Sequence, residues 1–397
     1  MYTCALPARK YALRILLIFA AVLAIYLTLA WTILAPAGYY GTSSEPRYSD
    51  RWIPRAETIM SGGDLYIDVP TTTPPLVNYL LVPPTFVSRL FGHRNPWSTL
   101  SFQIYFSVFN LLTAYVLFLG SANHRTGYQA ALCFLLNPLT LGNSVLRRQD
   151  EPILVFFWAV SLLLTMQRKH WAAGLLYGLS LLVKVSGLLM LPIAFFRTLD
   201  WRYLILPLAV FAAVTAPFLI TSGNKANMLD VRQPEMGHPF QFDGVSLGSL
   251  WSRMRDTGDQ HALPVYSGIL VIVSLAVTVW IMHRPQGLIE DILLLTTTVL
   301  VLSPKLHTGY LSLPILLMTP LLSRHKLAAP YFIVGTLAII ADLLKFPCEQ
   351  FTAAFATMIG CLLTLVLVSV RIRLRPSGAQ DLSPRSGNTA GGRAGPG

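Results

Sequence analysis

Charged residues are scarce in this chain. Only 12% of its 397 residues are Asp, Glu, Lys or Arg, against 54% hydrophobic, and an ordinary soluble domain carries about 25% charged residues. That deficit excludes a water-soluble globular body. Acids are scarcer still, 18 against 30 basic residues, which leaves a net charge of +12. In a soluble protein such an excess would suggest nucleic acid. Here the basic residues sit in short clusters between apolar runs, where they orient a chain in a bilayer, so nucleic acid is not an expected partner. The four cysteines, Cys4, Cys133, Cys348 and Cys361, have no paired spacing, which excludes a disulfide framework and a zinc site. No internal repeat is visible.

Apolar runs are what the chain has in abundance. They recur near the length demanded by a hydrocarbon core of about 30 Å, and the predicted fold is an all-α polytopic membrane protein. The first run, 15–35, follows Arg9, Lys10 and Arg14. It is longer than a signal-peptide core and has no small-residue cleavage site, so it reads as a retained span. Further runs cover 99–120, 128–146, 152–167, 171–196, 203–222, 266–282, 292–302, 309–322, 329–344 and 351–370. The membrane domain is thus expected over 1–375, with a first outer loop at about 36–98 and a second at about 223–264. The Gly-, Ser- and Arg-rich stretch 376–397 has nothing to bury and reads as a disordered cytoplasmic tail.

Basic connectors at 124–125, 168–170, 197–202, 283–284, 324–326 and 371–375 all belong on the cytoplasmic side. They share that side only if two conditions hold. The segment 76–90, broken by Pro74, Pro75, Pro83 and Pro84, must not cross, and the run 171–196 must go in and come back. Each arm of that run is then about 20 Å long, so its apex at Lys184 lies below the outer surface. A charge there is tolerable only where it lines a watered cavity. The expectation is about twelve crossings, some short or broken, in a cell-membrane, multi-pass chain with both termini cytoplasmic.

This topology leaves a second polar set on the outer side, where positive charge is usually sparse. Asp50, in the first outer loop, is a plausible general base; it is equally a helix cap. After it, Trp52, Ala56, Ile59 and Met60 share one face of a short amphipathic helix expected to lie on the membrane surface, with Arg51 and Arg55 on another. Asp64 and Asp68 are turn acids whose spacing specifies no divalent cation, so no metal or other cofactor is expected. In RRQDEP, Arg147 and Arg148 suit phosphate oxygens, and Asp150 or Glu151 would orient an acceptor or assist Asp50; the plainer reading is ion pairing within the stretch. Lys184 is a lone cation in an apolar run, though its long stem also suits snorkelling to the headgroups. Lys305 and His307 add a third cationic element. Tyr66 and Tyr310 are the aromatic candidates for substrate contact, Tyr310 being equally an interfacial anchor.

The order of these features resembles the GT-C superfamily of integral-membrane glycosyltransferases. It is especially similar to the polyprenyl-phosphate-mannose-dependent mannosyltransferases. The resemblance rests on Asp50 ahead of GGDLY and TTTPPLVNYLL, then LNPLTLGNSVLRRQDEP, AGLLYGLSLLVKVSGLLMLP and LSPKLHTGYLSLPILL. It implies a GT-C-like bundle and inverting transfer of a mannose-like sugar at the outer face. The donor would be a polyprenyl-phosphate sugar and the acceptor a hydroxyl on a glycolipid or glycan. It further implies Asp50 as base, and Arg147, Arg148, Lys184 and Lys305 around the donor phosphate. An Asp-X-Asp pair is missing at Asp50, which favours a metal-independent mechanism. Two rivals remain at this level: a transporter or flippase of lipid-linked saccharide, with its site expected near the midplane, and a non-catalytic subunit of an assembly complex.

Overall fold

The computed structural model describes residues 5–37, 40, 49–69, 71, 73–92, 96–222, 262–303, 306–344 and 351–374. The regular structure among these residues is helical, with a single isolated bridge between Leu65 and Val69. Most of the second outer loop, the stretch 376–397, Lys305, Cys4 and Cys348 lie outside the described residues. Cys133 and Cys361 are free thiols.

Four helical stretches are long and apolar enough to cross a bilayer alone. They are Arg9–Leu34, in which α1 (Ala5–Leu29) runs on through a π-helical turn, Trp97–Gly120 in α5 (Pro96–Gly120), Arg202–Thr221 in α11 (Arg202–Ser222), and Ala356–Leu374 in α17 (Phe351–Leu374). A fifth forms if α6 (His124–Leu136) is joined to α7 (Pro138–Leu141) and the π-helical turn Gly142–Leu146, a pair bent by 57°. Most of the other expected crossings are apolar helices of 10–17 residues: α8 (Glu151–Met166), α9 (His170–Val183), α10 (Leu191–Thr198) with the 3-10 turn before it, the stretch Ser267–His283 of α12 (Ala262–His283), α14 (Ser312–Met318) with its flanking turns, and α16 (Ala328–Leu344). A further helix, α13 (Leu288–Leu302), carries two acids in its first turn.

Proline decides where the first outer segment stops. Beyond α2 (Ser49–Met60), Pro75 opens α3 (Pro75–Leu80), and Pro83 and Pro84 sit in the first turn of α4 (Val82–Phe91), where a missing N–H costs nothing. Ten residues of α4 span about 15 Å, half of a hydrocarbon core. Neither helix is long enough to cross alone. The helix α2 differs from the expected surface helix: Trp52, Ile53 and Ala56 are buried, and so is Arg55. Trp52 packs on Phe102 and Phe106 of α5, at 5.9 and 5.2 Å between ring centroids, and Arg55 donates from Nη1 to Thr73 Oγ1 at 3.3 Å. Arg55 is therefore folded onto its own loop.

The run 171–196 does go in and come back. Gly174 abuts Arg202 and Leu206, and Gly178 abuts Pro207 and Val210, so α9 and α11 run parallel at close approach. At the far end of α9 the backbone breaks at Lys184, which is extended (φ −151°, ψ 137°), and the 3-10 turn Val185–Met190 starts the return. The return leg ends where α9 began: His170 Nδ1 lies 2.8 Å from Tyr203 Oη, and Trp171 and Trp201 are 5.8 Å apart.

Polar groups consequently gather at two opposite ends of the bundle. One end carries His170, Asp200 and Arg202, the pairs of Asp291 with Arg197 (3.6 Å) and Arg373 (3.2 Å), and those of Glu290 with Arg324 (3.1 Å) and His325 (3.4 Å). There the Arg202 guanidinium, hydrogen-bonded to Asp200, holds that carboxyl below the usual carboxylate range. The other end carries Arg147, Arg148, Asp150, Glu151 and Lys184, together with the first outer segment.

At the bend between α6 and α7, Asn137 serves both halves. Its Oδ1 accepts from the Leu139 N–H at 3.0 Å, and its Nδ2 donates to the Tyr331 carbonyl of α16 at 3.0 Å. Asn137→Leu removes a cap and orphans a buried carbonyl, and should cost about 2–3 kcal/mol. Thermal unfolding of the detergent-solubilised protein checks this; an unchanged midpoint would show that the bend holds without the asparagine.

Candidate functional site

The site is built where broken helices meet. The π-helical turn Gly142–Leu146 delivers Arg147, and Arg148 follows with φ +55°, a left-handed conformation that costs an L residue roughly 1–2 kcal/mol. That turn sends the two arginines in different directions. Arg147 meets α16: its Nε pairs with the Asp342 carboxylate, and its Nη1 donates to Asn143 Oδ1 at 3.1 Å. Arg148 lies over the Tyr40 ring at 4.8 Å and donates to Thr99 Oγ1 at 3.2 Å. Tyr40 itself accepts from Gln103 Nε2 at 3.3 Å.

Asp150 and Glu151, at the start of α8, turn to the break after α9. Lys184 Nζ lies 2.9 Å from Asp150 Oδ1 and 2.6 Å from Glu151 Oε1. Both carboxylates are buried, at 7% and 3% side-chain exposure, and Lys184 is at 16%. An isolated charge at such a position is costly enough that it survives only when paired. Glu151 is within electrostatic reach of Arg147 as well as Lys184, which joins the two halves of the cluster.

The turn Thr308–Leu311 touches every part of it. Thr308 Oγ1 donates to Asp342 Oδ1 at 2.7 Å. Gly309 packs against Glu151 so closely that a Cβ there would lie 2.6 Å from the carboxyl carbon. The Tyr310 ring sits 5.2 Å from the Lys184 ammonium, a cation–π contact, and His307 stacks over that ring at 6.4 Å.

The structure thus brings Arg147, Asp150, Glu151, Lys184, His307 and Tyr310 together, with Arg148 on the adjoining side. Arg147 is paired with Asp342 and Lys184 with Asp150 and Glu151, in each case across a long stretch of chain. Asp50 lies in the first turn of α2; its side chain, like all of Lys305, falls outside the described residues. Tyr66 is in the first outer segment, 2% exposed, with φ +78°. Its hydroxyl donates to the Thr73 carbonyl at 2.7 Å and its ring meets Phe218 edge-on. Asp64 and Asp68 close a turn through the Asp64 N–H at 2.8 Å. Among the described residues, no three His, Cys, Asp or Glu side chains gather as metal ligands do. Asp342 is the member that sequence reasoning missed. An acid in the apolar run 329–344 was the available signal, since ionisable groups inside a span are seldom idle.

The model of glycosyltransferase family 87 matches residues 72–304 of the chain. A relative, the catalytic subunit of GPI alpha-1,4-mannosyltransferase I from Danio rerio, is 32% identical over 162 residues, which are 38% of this chain and 38% of that protein. The chain therefore matches well under half of that relative's length. Among solved structures, ArnT from Cupriavidus metallidurans bound to undecaprenyl phosphate superposes with a TM-score of 0.49 at 13% identity, covering 91% of this chain and 77% of that one. The family match takes in Arg147 through Glu151 and Lys184; Thr308, Gly309, Tyr310 and Asp342 lie beyond it.

Removing the lysine alone should leave two buried carboxylates facing each other. Lys184→Met is expected to lower stability by about 3–5 kcal/mol, and most of that loss should return when Asp150→Asn and Glu151→Gln are added. Thermal denaturation of the three proteins decides it; equal stability of the lysine variant and the parent would mean the cluster is not held by charge.

Proposed function

The chain belongs to glycosyltransferase family 87, and we propose that it moves a mannose-like sugar, with inversion, from a polyprenyl-phosphate donor to a hydroxyl of a glycolipid or glycan. The observation that carries this reading is the Lys184 cluster. Its cations stand at a helix break, at one end of an apolar bundle, beside Val185 and Leu188, apolar side chains that are 45% and 43% exposed. A phosphate brought to that break can keep its hydrocarbon tail in the bilayer. A soluble nucleotide-sugar donor would have no use for such an edge. The mannosyltransferase activity named for the Danio rerio relative supports the choice of sugar.

In this mechanism Asp50 takes the proton of the acceptor hydroxyl. The hydroxyl oxygen attacks the anomeric carbon from the face opposite the phosphate, and the anomeric carbon–oxygen bond breaks with its electron pair going to the phosphate. Inversion needs no covalent enzyme intermediate. Stabilisation of the departing phosphate comes from fixed donors whose orientation is set before the reaction: the Arg147 guanidinium, the Lys184 ammonium, and the Arg148 guanidinium from the adjoining side. Asp150 and Glu151 hold Lys184 in place, and the turn carrying Tyr310 closes the site beneath it.

Orientation follows from the two polar ends. The end with Arg168, Lys169, Arg197, Arg202, Arg284, Arg324 and Arg373 carries the basic connectors that belong with the cytoplasm. The catalytic end then faces the opposite side, where the first outer loop can meet its acceptor.

Two variants test the assignment. Asp50→Asn should abolish sugar transfer in a membrane assay, by at least about 100-fold for loss of a general base, while insertion and thermal stability stay as in the parent. Transfer at the parental rate would remove Asp50 from the mechanism. Gly309→Ala should push the Glu151 carboxylate off Lys184 and slow transfer by about 100-fold, as displacements near 1 Å do; retained activity would show that the turn is not part of the site.

A further inference from the structure

The cations at this site are not left as bare positive charge. Arg147 and Lys184 lie among three carboxylates, Asp150, Glu151 and Asp342, with Arg148 on the adjoining side. Asp342 comes from α16, far along the chain, and is oriented by the Thr308 hydroxyl. The pairing answers the cost of burying Arg147, and it also makes the carboxylate a competitor of any phosphate for the same N–H groups.

Hydrogen-bond capacity remains even so. Arg147 has five N–H donors, of which Nε is taken by Asp342 and one Nη1 donor by Asn143; its Nη2 makes no hydrogen bond among the described residues. Lys184 has three donors, two of them directed at Asp150 and Glu151. Arg147 and Lys184 thus keep directional donors while paired with three carboxylates.

We propose that Asp342, with Asp150 and Glu151, sets the charge of this site so that it holds a singly charged phosphodiester and releases the doubly charged phosphomonoester formed from it. This rests on the polyprenyl-phosphate donor reading above. The charge balance of that reaction makes the need plain. The donor is a phosphodiester carrying one negative charge. When the anomeric carbon–oxygen bond breaks, its electron pair stays on the phosphate and the acceptor proton goes to Asp50. The product is a phosphomonoester, which carries about −1.5 to −2 near neutral pH. Uncompensated cations would grip that product more tightly than the donor and stall turnover. Asp342 is a specificity-determining residue that acts through Arg147.

The test compares two inhibitors that differ in one charge, a short-chain polyprenyl phosphate and its monomethyl ester, each titrated against donor in the transfer assay. In the wild type the two inhibition constants should agree within about threefold. In Asp342→Asn the phosphomonoester should gain on the methyl ester by about tenfold, equivalent to about 1.4 kcal/mol, while Asp342→Glu should keep the wild-type ratio. A purely structural loss at Asp342 would weaken both inhibitors alike and leave the ratio unmoved, and that result overturns the proposal. So does a wild-type ratio already well above threefold in favour of the phosphomonoester, a measurement that needs no variant to fold. If neither compound competes with donor, the donor reading itself fails, an outcome separate from a constant ratio between two competing inhibitors.

Discussion

A lysine ammonium in an apolar bundle has to be answered by carboxylates, and that constraint arranges the catalytic end of this protein. Lys184 could not remain charged at the tip of α9 without Asp150 and Glu151 within 3 Å, because burying an unpaired ion costs several kcal/mol. Meeting that requirement brings the start of α8 to the break between α9 and α10. The same demand from Arg147 draws in the end of α16, and the turn at Thr308–Leu311 fits between the two pairs. Four stretches of chain distant in sequence are located by two cations. The bundle around them provides the low dielectric that makes the pairing obligatory.

The opposite end solves a different problem with the same chemistry. Asp291 binds two arginines from α10's last turn and from α17, and Glu290 binds Arg324 and His325. These pairs splint helix ends that meet solvent or headgroups, and nothing in their geometry isolates a donor or a cavity for a ligand. At the Lys184 end, by contrast, Arg147 and Lys184 keep donors in reserve. The distinction lies in how the guanidinium and ammonium groups are satisfied, and not in how many charges are present.

Much of this was legible in the sequence. A lone lysine in an apolar run marked the break at Lys184, because a continuous helix would have left it in lipid. The prolines at 74, 75, 83 and 84 marked the two short helices α3 and α4. The misplaced charges of RRQDEP marked the stretch that meets Lys184 and Asp342. What remained hidden were pairings between residues far apart in the chain. Nothing local ties Arg147 to Asp342, and an acid near a helix end reads as easily as a solvated one. Arg55 misled for the same reason: helical periodicity put it on a polar face, but the turn of the following loop folded Thr73 over it. Gly309 looked like an ordinary turn residue until Glu151 was seen packed against its backbone.

The short helices have one more consequence. α8 and α9 have 16 and 14 residues, about 24 and 21 Å, and both run from the basic end to the Lys184 cluster. With that basic end at the headgroups, the cluster sits roughly 6–9 Å beneath the opposite limit of a 30 Å hydrocarbon layer. Lipids along the edge formed by Val185 and Leu188 therefore meet a hydrophobic mismatch and must thin or tilt to cover it. The bilayer beside that rim would have to thin before a lipid head could reach Lys184.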